Sequence, residues 1–219
     1  MKKYSINDSF TYVLGISLII ECLKRKPKEI LNVYLSSNVN ENKDYELLIS
    51  LCKKNSIKYS TDDKVINTIS TKENCYGIAV INKFDFKLSS NRHIILKDIT
   101  DEGDLGTIIR SLASFNIYDL VLINSNIDIY SPKVIRSSMG GYFYVNINKF
   151  DSLDEYLDNY NRKIISIGLK GNSELSEMNI NDDYSLLIDT KQDGDFYIKH
   201  VNDSSIDITS ACTIVLNRI

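Results

Sequence analysis

The stretch HIILKDITDEGDLGTIIRS, residues 93–111, decides the fold that we expect for this chain. Its first part has the continuous apolar pattern of a buried β-strand, and its last part has apolar residues at helical spacing. Between them, Gly103 and Gly106 let the backbone pass close to another group at the carboxyl end of the strand. Arg110 is an always-charged donor suited to phosphate. A tight strand-to-helix turn with a surface arginine is the simpler explanation of the pattern taken alone.

Strand and helix patterns alternate on both sides of this stretch. Upstream, the first periodic segment predicts a helix at 13–25. It is followed by a predicted strand at 30–37, helices at 42–56 and 62–70, and a strand at 75–82. Downstream, the alternation continues to the C-terminus and includes a strand at 142–147. We therefore expect an α/β protein with a small domain at 1–83, a linker at 84–92 and a larger domain at 93–219. A mostly parallel sheet in the larger domain should bind ligands at the carboxyl ends of its strands.

Composition narrows the chemistry. The four cysteines stand far apart and only two histidines are present, which disfavours a clustered zinc site or a histidine-based triad. We expect buried free thiols and no bound metal. No apolar run approaches the length needed to span a bilayer, so we expect a cytoplasmic protein without a membrane partner.

The net charge of −3 conceals an uneven distribution. Residues 1–60 hold ten basic and six acidic side chains, whereas residues 151–219 hold six basic and thirteen acidic ones. A polyanion should therefore meet the N-terminal part of the chain. The candidate contacts for its phosphate groups form the densest basic run, Lys24, Arg25, Lys26 and Lys28. A solvated helix end is the alternative interpretation of this run.

A second candidate phosphate site lies in SPKVIRSSMGG, residues 131–141. The pattern predicts a short helix that begins at the Ser-Pro pair and runs into a glycine turn. Arg136 and Ser138 at this turn could bind one phosphate. A capping turn with a structural serine is the alternative.

These segments resemble the SpoU/TrmH family of RNA 2′-O-ribose methyltransferases, within the SPOUT superfamily. The first is similar to the family motif D-P-G-N-L-G-x-x-x-R-[TS]-A, and its matching residues are Asp101, Gly103, Leu105, Gly106, Arg110 and Ser111. Glu102 and Asp104 stand where the family has proline and asparagine. The second is similar to P-K-V-x-R-x-S-x-G-A, matched by Pro132, Lys133, Val134, Arg136, Ser138 and Gly140. Segments typical of the family's substrate domain are matched by Tyr12, Gly15, Glu21, Leu23, Gly77 and Ala79.

The resemblance spans nearly the whole chain and implies a fold, a reaction and partners. The implied fold is a ribosomal-protein-like RNA-binding domain followed by a trefoil-knotted methyltransferase domain, which forms a homodimer through the knot. The implied reaction transfers a methyl group from S-adenosylmethionine to a ribose 2′-hydroxyl of ribosomal or transfer RNA. Arg110 would contact the ribose-phosphate and assist removal of the hydroxyl proton. Asp104 would help to organise the RNA and the active-site loop.

The cofactor motifs of the family match less well. G-N-E-x-x-G is represented by residues 189–194, I-P-[ML] has lost its proline, and S-L-N-V-S-x-A begins at Ser205 with Asp207 in place of asparagine. The resemblance assigns the shaping of the catalytic pocket to Ser205 and Asp207. It assigns cofactor binding to Leu169, Gly171, Ile188, Asp189, Gly194, Ile198, Ile206 and Thr209. We expect weak but detectable binding of S-adenosylmethionine in this pocket.

Two other functions remain open on the sequence. One is an RNA-binding homologue with the same fold and a decayed cofactor site, because the departures from the family fall repeatedly on one site. The other is a small-molecule α/β enzyme unrelated to RNA, favoured only by the acidic overall charge. Salt-sensitive RNA binding would separate the first two functions from the third, and methyl transfer would separate the enzyme from the inactive homologue.

Overall fold

The chain folds into two compact units. The structure is a computed structural model, and it describes residues 1–70, 74–89, 92–168, 170–179, 184–199 and 206–219. The first unit comprises Met1–Asp85 and Asp128–Phe143, and the second comprises Phe86–Ile127 and Tyr144–Ile219. By its contacts, the segment Asp128–Phe143 therefore belongs with the N-terminal part of the chain. The limits predicted at 83 and 93 stay predictions.

The elements alternate as expected for an α/β protein. The described strands are β1 (Phe10–Leu14), β2 (Ile30–Leu35), β3 (Tyr59–Thr61), β4 (Gly77–Asn82), β5 (His93–Lys97), β6 (Asp119–Ile123), β7 (Asn146–Phe150), β8 (Lys163–Gly168), β9 (Gly171–Glu174), β10 (Tyr184–Ile188) and β11 (Gly194–Tyr197). The described α-helices are α1 (Ile16–Arg25), α2 (Lys43–Lys54), α3 (Asp63–Ile69), α4 (Glu102–Ser114), α5 (Pro132–Ser137), α6 (Leu153–Asn159) and α7 (Ile208–Arg218). Short 3-10 helices occupy Pro27–Glu29, Gly141–Phe143 and Leu175–Glu177.

The first unit is built on a mixed sheet in the order β1-β4-β2-β3. β4 pairs antiparallel with both neighbours, and β2 pairs parallel with β3. The helix predicted at 13–25 begins only at residue 16, because Val13 belongs to β1 and pairs with Ala79 of β4. Gly15 separates the two elements at a φ of 111°, a left-handed conformation that favours glycine. The N–H of Gly15 donates to the Gly77 carbonyl at 2.9 Å, so two motif glycines meet at this corner.

The segment 128–143 completes the core of the first unit through aromatic contacts. The Phe84 ring lies 6.4 Å from the Tyr130 ring and 6.1 Å from the Tyr142 ring, both edge to face. Tyr130 donates its hydroxyl to the Phe84 carbonyl at 2.5 Å. A Cβ at Gly140 would lie 3.1 Å from the Cγ of Glu21 on α1, so two segments quoted for the family resemblance also touch here.

The described strands of the second unit form one parallel sheet in the order β7-β6-β5-β10-β8-β11-β9. The central strands β5 and β6 are almost wholly buried, as expected for a sheet covered on both faces. The predicted α/β class with a parallel-sheet C-terminal domain is therefore confirmed. The strand predicted at 142–147 is displaced, because residues 141–143 form a 3-10 turn and β7 begins at Asn146.

Buried polar side chains form a hydrogen-bonded chain near the amino ends of the strands. Arg162 donates its Nε–H to Ser185 Oγ at 2.9 Å, and Ser185 Oγ lies 2.7 Å from Tyr156 Oη. Tyr156 Oη lies 2.7 Å from His93 Nδ1, and His93 Nε2 lies 2.9 Å from the Ser89 carbonyl oxygen. Because a carbonyl only accepts, the His93 proton sits on Nε2, and burial lowers the pKa of the ring. This histidine is a neutral structural residue.

The four cysteines are free and buried, as expected. Burial raises the pKa of the Cys52 thiol to about 11 and that of the Cys212 thiol to about 12, so neither is a thiolate near neutral pH. Within the described residues, no group of His, Cys, Asp and Glu side chains forms a metal-binding cluster. The helices of the described part are too short or too polar to cross a membrane.

Candidate cofactor and active site

A cavity of about 240 Å³ opens at the carboxyl ends of β5 and β10. These strands are neighbours in the parallel sheet, where Leu96 pairs with Ile188, so the loops that follow them meet at one edge. The start of α7 closes a further side through Ile208. The residues that line the cavity are Lys97, Asp98, Ile99, Thr100, Asp101, Asp104, Asp189, Thr190, Lys191 and Ile208.

The turn after β5 is fixed by the first aspartate of the DEGDLG motif. Asp101 is the N-cap of α4, and its Oδ1 accepts from Gly103 N at 2.6 Å and Asp104 N at 2.9 Å. Two acidic residues in the first turn, Glu102 and Asp104, also suit the positive end of the helix dipole. The capping interaction therefore holds Asp104 at the cavity wall.

A strained pair of residues stands behind this turn. Asp98 and Asn124, at the ends of β5 and β6, have φ values of 53° and 50°, which are uncommon for residues with a side chain. Asn124 Nδ2 donates to Asp98 Oδ1 at 2.5 Å. Such strain persists only where the surroundings enforce it, and it is frequent at functional sites. The sequence interpretation missed Asp98, although its place directly after a buried strand could have indicated it.

The loop after β10 closes on itself at the residue where the family has glycine. Asp189 Oδ1 accepts from Lys191 N at 2.8 Å, and Asp189 N donates to the Ile167 carbonyl at 3.0 Å. An aspartate that bonds the backbone two residues ahead forms a tight turn without glycine. The replacement of glycine therefore leaves an ordered loop, and it adds a carboxylate to the cavity.

Three glycines bring the backbone of this region into close contact. A Cβ added to Gly168 would lie 2.2 Å from the Gln192 carbonyl oxygen and 2.6 Å from Gly194 N. A Cβ on Gly171 would lie 2.7 Å from the Phe196 carbonyl carbon, and one on Gly194 would lie 2.7 Å from Gly168 N. Glycine at these positions is required by the packing of β8, β9 and β11. Cofactor binding by Gly171 and Gly194 stays a prediction.

Asp207 is the N-cap of α7. Its Oδ1 accepts from Thr209 N at 3.0 Å and Ser210 N at 2.9 Å, and its Oδ2 accepts from Ser210 Oγ at 2.6 Å. The bonds from Ser210 and Thr209 hold the pKa of this carboxyl well below its usual value of 3.8. Asparagine and aspartate are comparable N-caps, so the exchange of the family asparagine preserves the start of the helix.

Two substitutions test this capping role. Asp207→Ala should lower the free energy of unfolding by about 1 kcal/mol, whereas Asp207→Asn should change it by a few tenths of that amount. Because the pKa of Asp207 is lowered on folding, its contribution is present above about pH 4 and is lost as the pH falls below that value. Urea denaturation at neutral and acidic pH measures both effects. Equal unfolding free energies for the wild type and Asp207→Ala would contradict the assignment.

The charges of the cavity suit a cationic ligand. Four residues with carboxylates line the cavity, Asp98, Asp101, Asp104 and Asp189, against two with ammonium groups, Lys97 and Lys191. A sulfonium ion such as that of S-adenosylmethionine is favoured by this acidic surplus. The volume of about 240 Å³ lies below the roughly 300–1,000 Å³ of typical ligand pockets, and weak binding stays a prediction.

The structure brings some of the predicted site residues together and leaves others apart. Asp104 and Asp189 line the cavity, and Asp207 precedes its wall residue Ile208. Thr209 donates its N–H to Asp207. Ile206, the residue before Asp207, is half-buried. Ile188 and Ile198 are buried in the core. The predictions for Leu169 and Ser205 lie outside the described residues.

Arg110 does not line the cavity. It follows Asp104 by six residues on α4, which places it about 9 Å farther along the helix and about 240° around its axis. Its side chain is exposed, and within the described part of the chain its guanidinium makes no hydrogen bond or ion pair. An exposed charged fork of this kind can receive a phosphate that arrives from solvent.

The predicted RNA contacts in the first unit differ in their surroundings. Lys24, Arg25 and Lys28 are exposed, and Lys24 lies 2.8 Å from Glu21 Oε1. Lys26 is half-buried, and its Nζ lies 4.8 Å from the centre of the Phe84 ring. This cation–π contact holds the Lys26 side chain against Phe84, so Lys26 stabilises the first unit whether or not it also contacts RNA.

The glycine turn after α5 favours the structural alternative for its serine. Ser138 is fully buried, donates its hydroxyl to the Ile135 carbonyl at 2.7 Å and accepts from Tyr142 N at 3.2 Å. A phosphate cannot reach this hydroxyl without displacing both bonds. Arg136 is half-buried, and contact with phosphate stays a prediction for this residue.

Two family models match successive parts of the chain. Residues 91–192 match the model of the SpoU rRNA Methylase family, and residues 12–84 match the model for RNA 2′-O ribose methyltransferase substrate binding. Human mitochondrial rRNA methyltransferase 3 is 31% identical over 88 residues, which are 38% of this chain and 21% of that protein. The Bacillus subtilis 23S rRNA (guanosine(2553)-2′-O)-methyltransferase RlmP is 23% identical over 135 residues, 59% of this chain and 54% of that one.

Solved structures share the fold over nearly the whole chain. The SpoU methyltransferase AviRb from Streptomyces viridochromogenes, in complex with the cofactor AdoMet, has a TM-score of 0.78 at 17% identity and covers 96% of this chain and 89% of its own. An rRNA methyltransferase from Sinorhizobium meliloti has a TM-score of 0.75 at 16% identity, and the match covers 96% of this chain and 86% of that one.

The two compact units of this chain share the fold of these solved structures. The chain belongs to the SpoU methyltransferase family. It spans about half or less of the length of these two curated relatives.

Proposed function

We propose that this chain is an S-adenosylmethionine-dependent RNA 2′-O-ribose methyltransferase that acts on ribosomal RNA. The observation that carries the proposal is the cavity at the ends of β5 and β10, where the motif residue Asp104 meets the loop 189–191. The human and Bacillus relatives named above are rRNA methyltransferases by name, and the region that matches the SpoU model contains both loops.

The residues of the site divide the chemistry between them. S-adenosylmethionine, when bound, supplies an electrophilic methyl group. Asp104 and Asp189 would hold its cationic end by charge. Arg110 would hold the phosphate beside the target ribose and favour the deprotonated 2′-oxygen, because its guanidinium stays charged and its donor fork is unoccupied within the described residues.

The inactive homologue is not favoured. The departures from the family motifs that suggested decay are accommodated by local structure, since Asp207 caps α7 and Asp189 forms a turn. The small-molecule enzyme has no specific observation in its favour.

Calorimetry with S-adenosylmethionine and with its demethylated product tests the cofactor assignment. We expect weak but measurable binding, and weaker binding of the demethylated product because it lacks the sulfonium charge that the carboxylates attract. Asp189→Asn should reduce this preference for the charged form, since it removes one of the facing carboxylates. If neither ligand binds at millimolar concentration, the result contradicts the methyltransferase and supports the inactive RNA-binding homologue.

The salt dependence of RNA binding tests the basic run at the end of α1. Replacing Lys24, Arg25 and Lys28 with glutamine should lower the slope of log affinity against log salt by about 0.7–0.9 for each phosphate that these side chains neutralise in the wild type. Lys26 is left in place because its ring contact is structural. A matched variant replaces Lys53 and Lys54 at the end of α2, and it should change the slope less. Identical slopes for the wild type and the triple variant would show that the run is only a solvated surface.

The knot, the homodimer and the cytoplasmic location belong to the same proposal. The segment that would thread the knot includes residues 200–205, which lie outside the described part of the chain. Ile214 on α7 is 42% exposed, an apolar group that a second copy could cover. Sedimentation of the wild type and Ile214→Glu measures the dimer, and a monomeric wild type would exclude it.

A further inference from the structure

A second cavity lies wholly within the first unit. Its volume is about 460 Å³, and its walls are the loop between β2 and α2, the first turns of α1 and α2, and the residues before β4. The basic run assigned to RNA lies in and after the last turn of α1, about 15 Å away along that helix. The sequence analysis named one of its lining residues, Gly15, but did not predict a cavity there.

An exposed tyrosine stands at the cavity on a fixed backbone. Tyr76 is 43% exposed, although its neighbours Cys75 and Gly77 are buried. Its carbonyl accepts from Ser36 N at 3.0 Å, which joins the segment before β4 to the loop after β2. An aromatic side chain held in this way offers a flat surface to solvent with little conformational freedom to lose.

A second tyrosine lines the same cavity from α2. Asn42 caps this helix, and its Oδ1 accepts from Asp44 N at 3.0 Å and Tyr45 N at 3.1 Å. The cap fixes the start of the helix and with it the position of Tyr45, which is half-buried. Two aromatic side chains on rigid backbone thus contribute to one cavity.

The polar lining favours a nucleobase over a phosphate. Asn38 and Asn40 present amides that both donate and accept, whereas the Asp44 carboxylate only accepts. The described lining contains no lysine or arginine, so nothing there would offset the repulsion between Asp44 and a phosphate. An exocyclic amino group projects from the ring and can donate to that carboxylate, whereas uracil offers only its N3–H, which lies between two carbonyl oxygens that the carboxylate repels.

We propose that this cavity binds an unstacked RNA base with an exocyclic amino group, stacked on Tyr76 and bonded at its edge by Asp44 and the asparagine amides. The inference rests on the proposed function, because it takes RNA as the substrate. Proteins that recognise single-stranded RNA combine aromatic stacking with hydrogen bonds to base edges in this manner. The cavity would supply a sequence preference that contacts with phosphate cannot give.

Binding of short uridine oligoribonucleotides with one central base varied tests the proposal. Fluorescence anisotropy on the full chain should show tighter binding when the central base is adenine, cytosine or guanine than when it is uracil. Tyr76→Ala should weaken binding of the amino-bearing oligonucleotides about tenfold, the size expected when one stacked ring is removed, and Tyr76→Phe should retain it. Asp44→Asn should narrow the difference from uracil.

Tyr59 provides the matched control. It is 38% exposed on β3 and does not line the cavity, so Tyr59→Ala should leave every affinity unchanged. Thermal unfolding of each variant checks that the first unit stays folded. Equal affinities for all four central bases, equal losses of affinity in Tyr76→Ala and Tyr59→Ala, or no oligonucleotide binding at millimolar protein would each overturn the proposal. A base preference without any cofactor binding would instead overturn the methyltransferase and leave the base pocket standing.

Discussion

Arg110→Ala is expected to lower methyl transfer to ribosomal RNA by a factor on the order of 10² to 10⁴, the range of a group that assists proton transfer. The affinity for S-adenosylmethionine should remain unchanged, because Arg110 does not line the cavity at the ends of β5 and β10. The fold should also be unaffected, since the side chain is exposed and makes no bond within the described residues. Transfer of a labelled methyl group under single-turnover conditions measures the effect.

Two further variants sharpen the Arg110 prediction. Arg110→Lys keeps the charge but loses the planar donor fork, so we expect a rate between those of the wild type and the alanine variant. Lys163→Ala removes an exposed cation from the start of β8, at the amino edge of the sheet, and should leave the rate unchanged. An alanine variant as active as Lys163→Ala would remove Arg110 from the mechanism.

Gly168→Ala is expected to have the largest effect on the cofactor loops. The added Cβ would lie 2.2 Å from the Gln192 carbonyl oxygen and 2.7 Å from the Asp193 carbonyl carbon. These are backbone atoms, which a change of rotamer cannot move, so either the end of β8 or the loop after β10 must shift. We expect a loss of about 1–3 kcal/mol or more in unfolding free energy and loss of detectable cofactor binding.

Lys170→Ala is the matched control for Gly168→Ala. It changes an exposed side chain in the same connection but keeps the Lys170 carbonyl, which accepts from Gly194 N at 2.7 Å. Its stability and cofactor affinity should stay close to those of the wild type. Urea denaturation and calorimetry on both variants make the comparison. Unchanged cofactor binding in Gly168→Ala would contradict the prediction, because it would show that the loop after β10 can move without affecting the cofactor.

Apolar spacing predicted the longer helices. The helix predicted at 42–56 is observed as Lys43–Lys54, and the structure shows Asn42 as its N-cap. Strands without an apolar pattern were not predicted. β9 has the sequence GNSE and is a strand only because it pairs with β11, opposite Gly194. Pairing of this kind depends on distant residues, which no local pattern reports.

Only part of the candidate site was predicted, because the rest depends on contacts between residues that are distant in the sequence. Asp104 and Asp189, which the family resemblance named, both line the cavity because their loops follow neighbouring strands of a parallel sheet, and their roles stay predictions. Ser138 was assigned to phosphate by its motif, but its complete burial depends on the packing of the first unit and is invisible in the sequence. Tyr76 was not predicted, because its position depends on a loop 40 residues earlier in the chain. Ser36 of that loop donates its N–H to the Tyr76 carbonyl.

The first unit is continuous in space but interrupted in the chain, and this has a consequence for synthesis on the ribosome. Its core includes Tyr142, which is fully buried and lies against Phe84, so the unit cannot be completed until residue 143 has left the exit tunnel. By then β5 and β6 of the second unit have already emerged. The nascent chain must therefore carry two hydrophobic strands without their sheet partners β10 and β7 while the N-terminal unit closes. Domains usually fold in order from the N-terminus, and here that order is broken by a stretch of 42 residues, Phe86–Ile127, that belongs to the later unit.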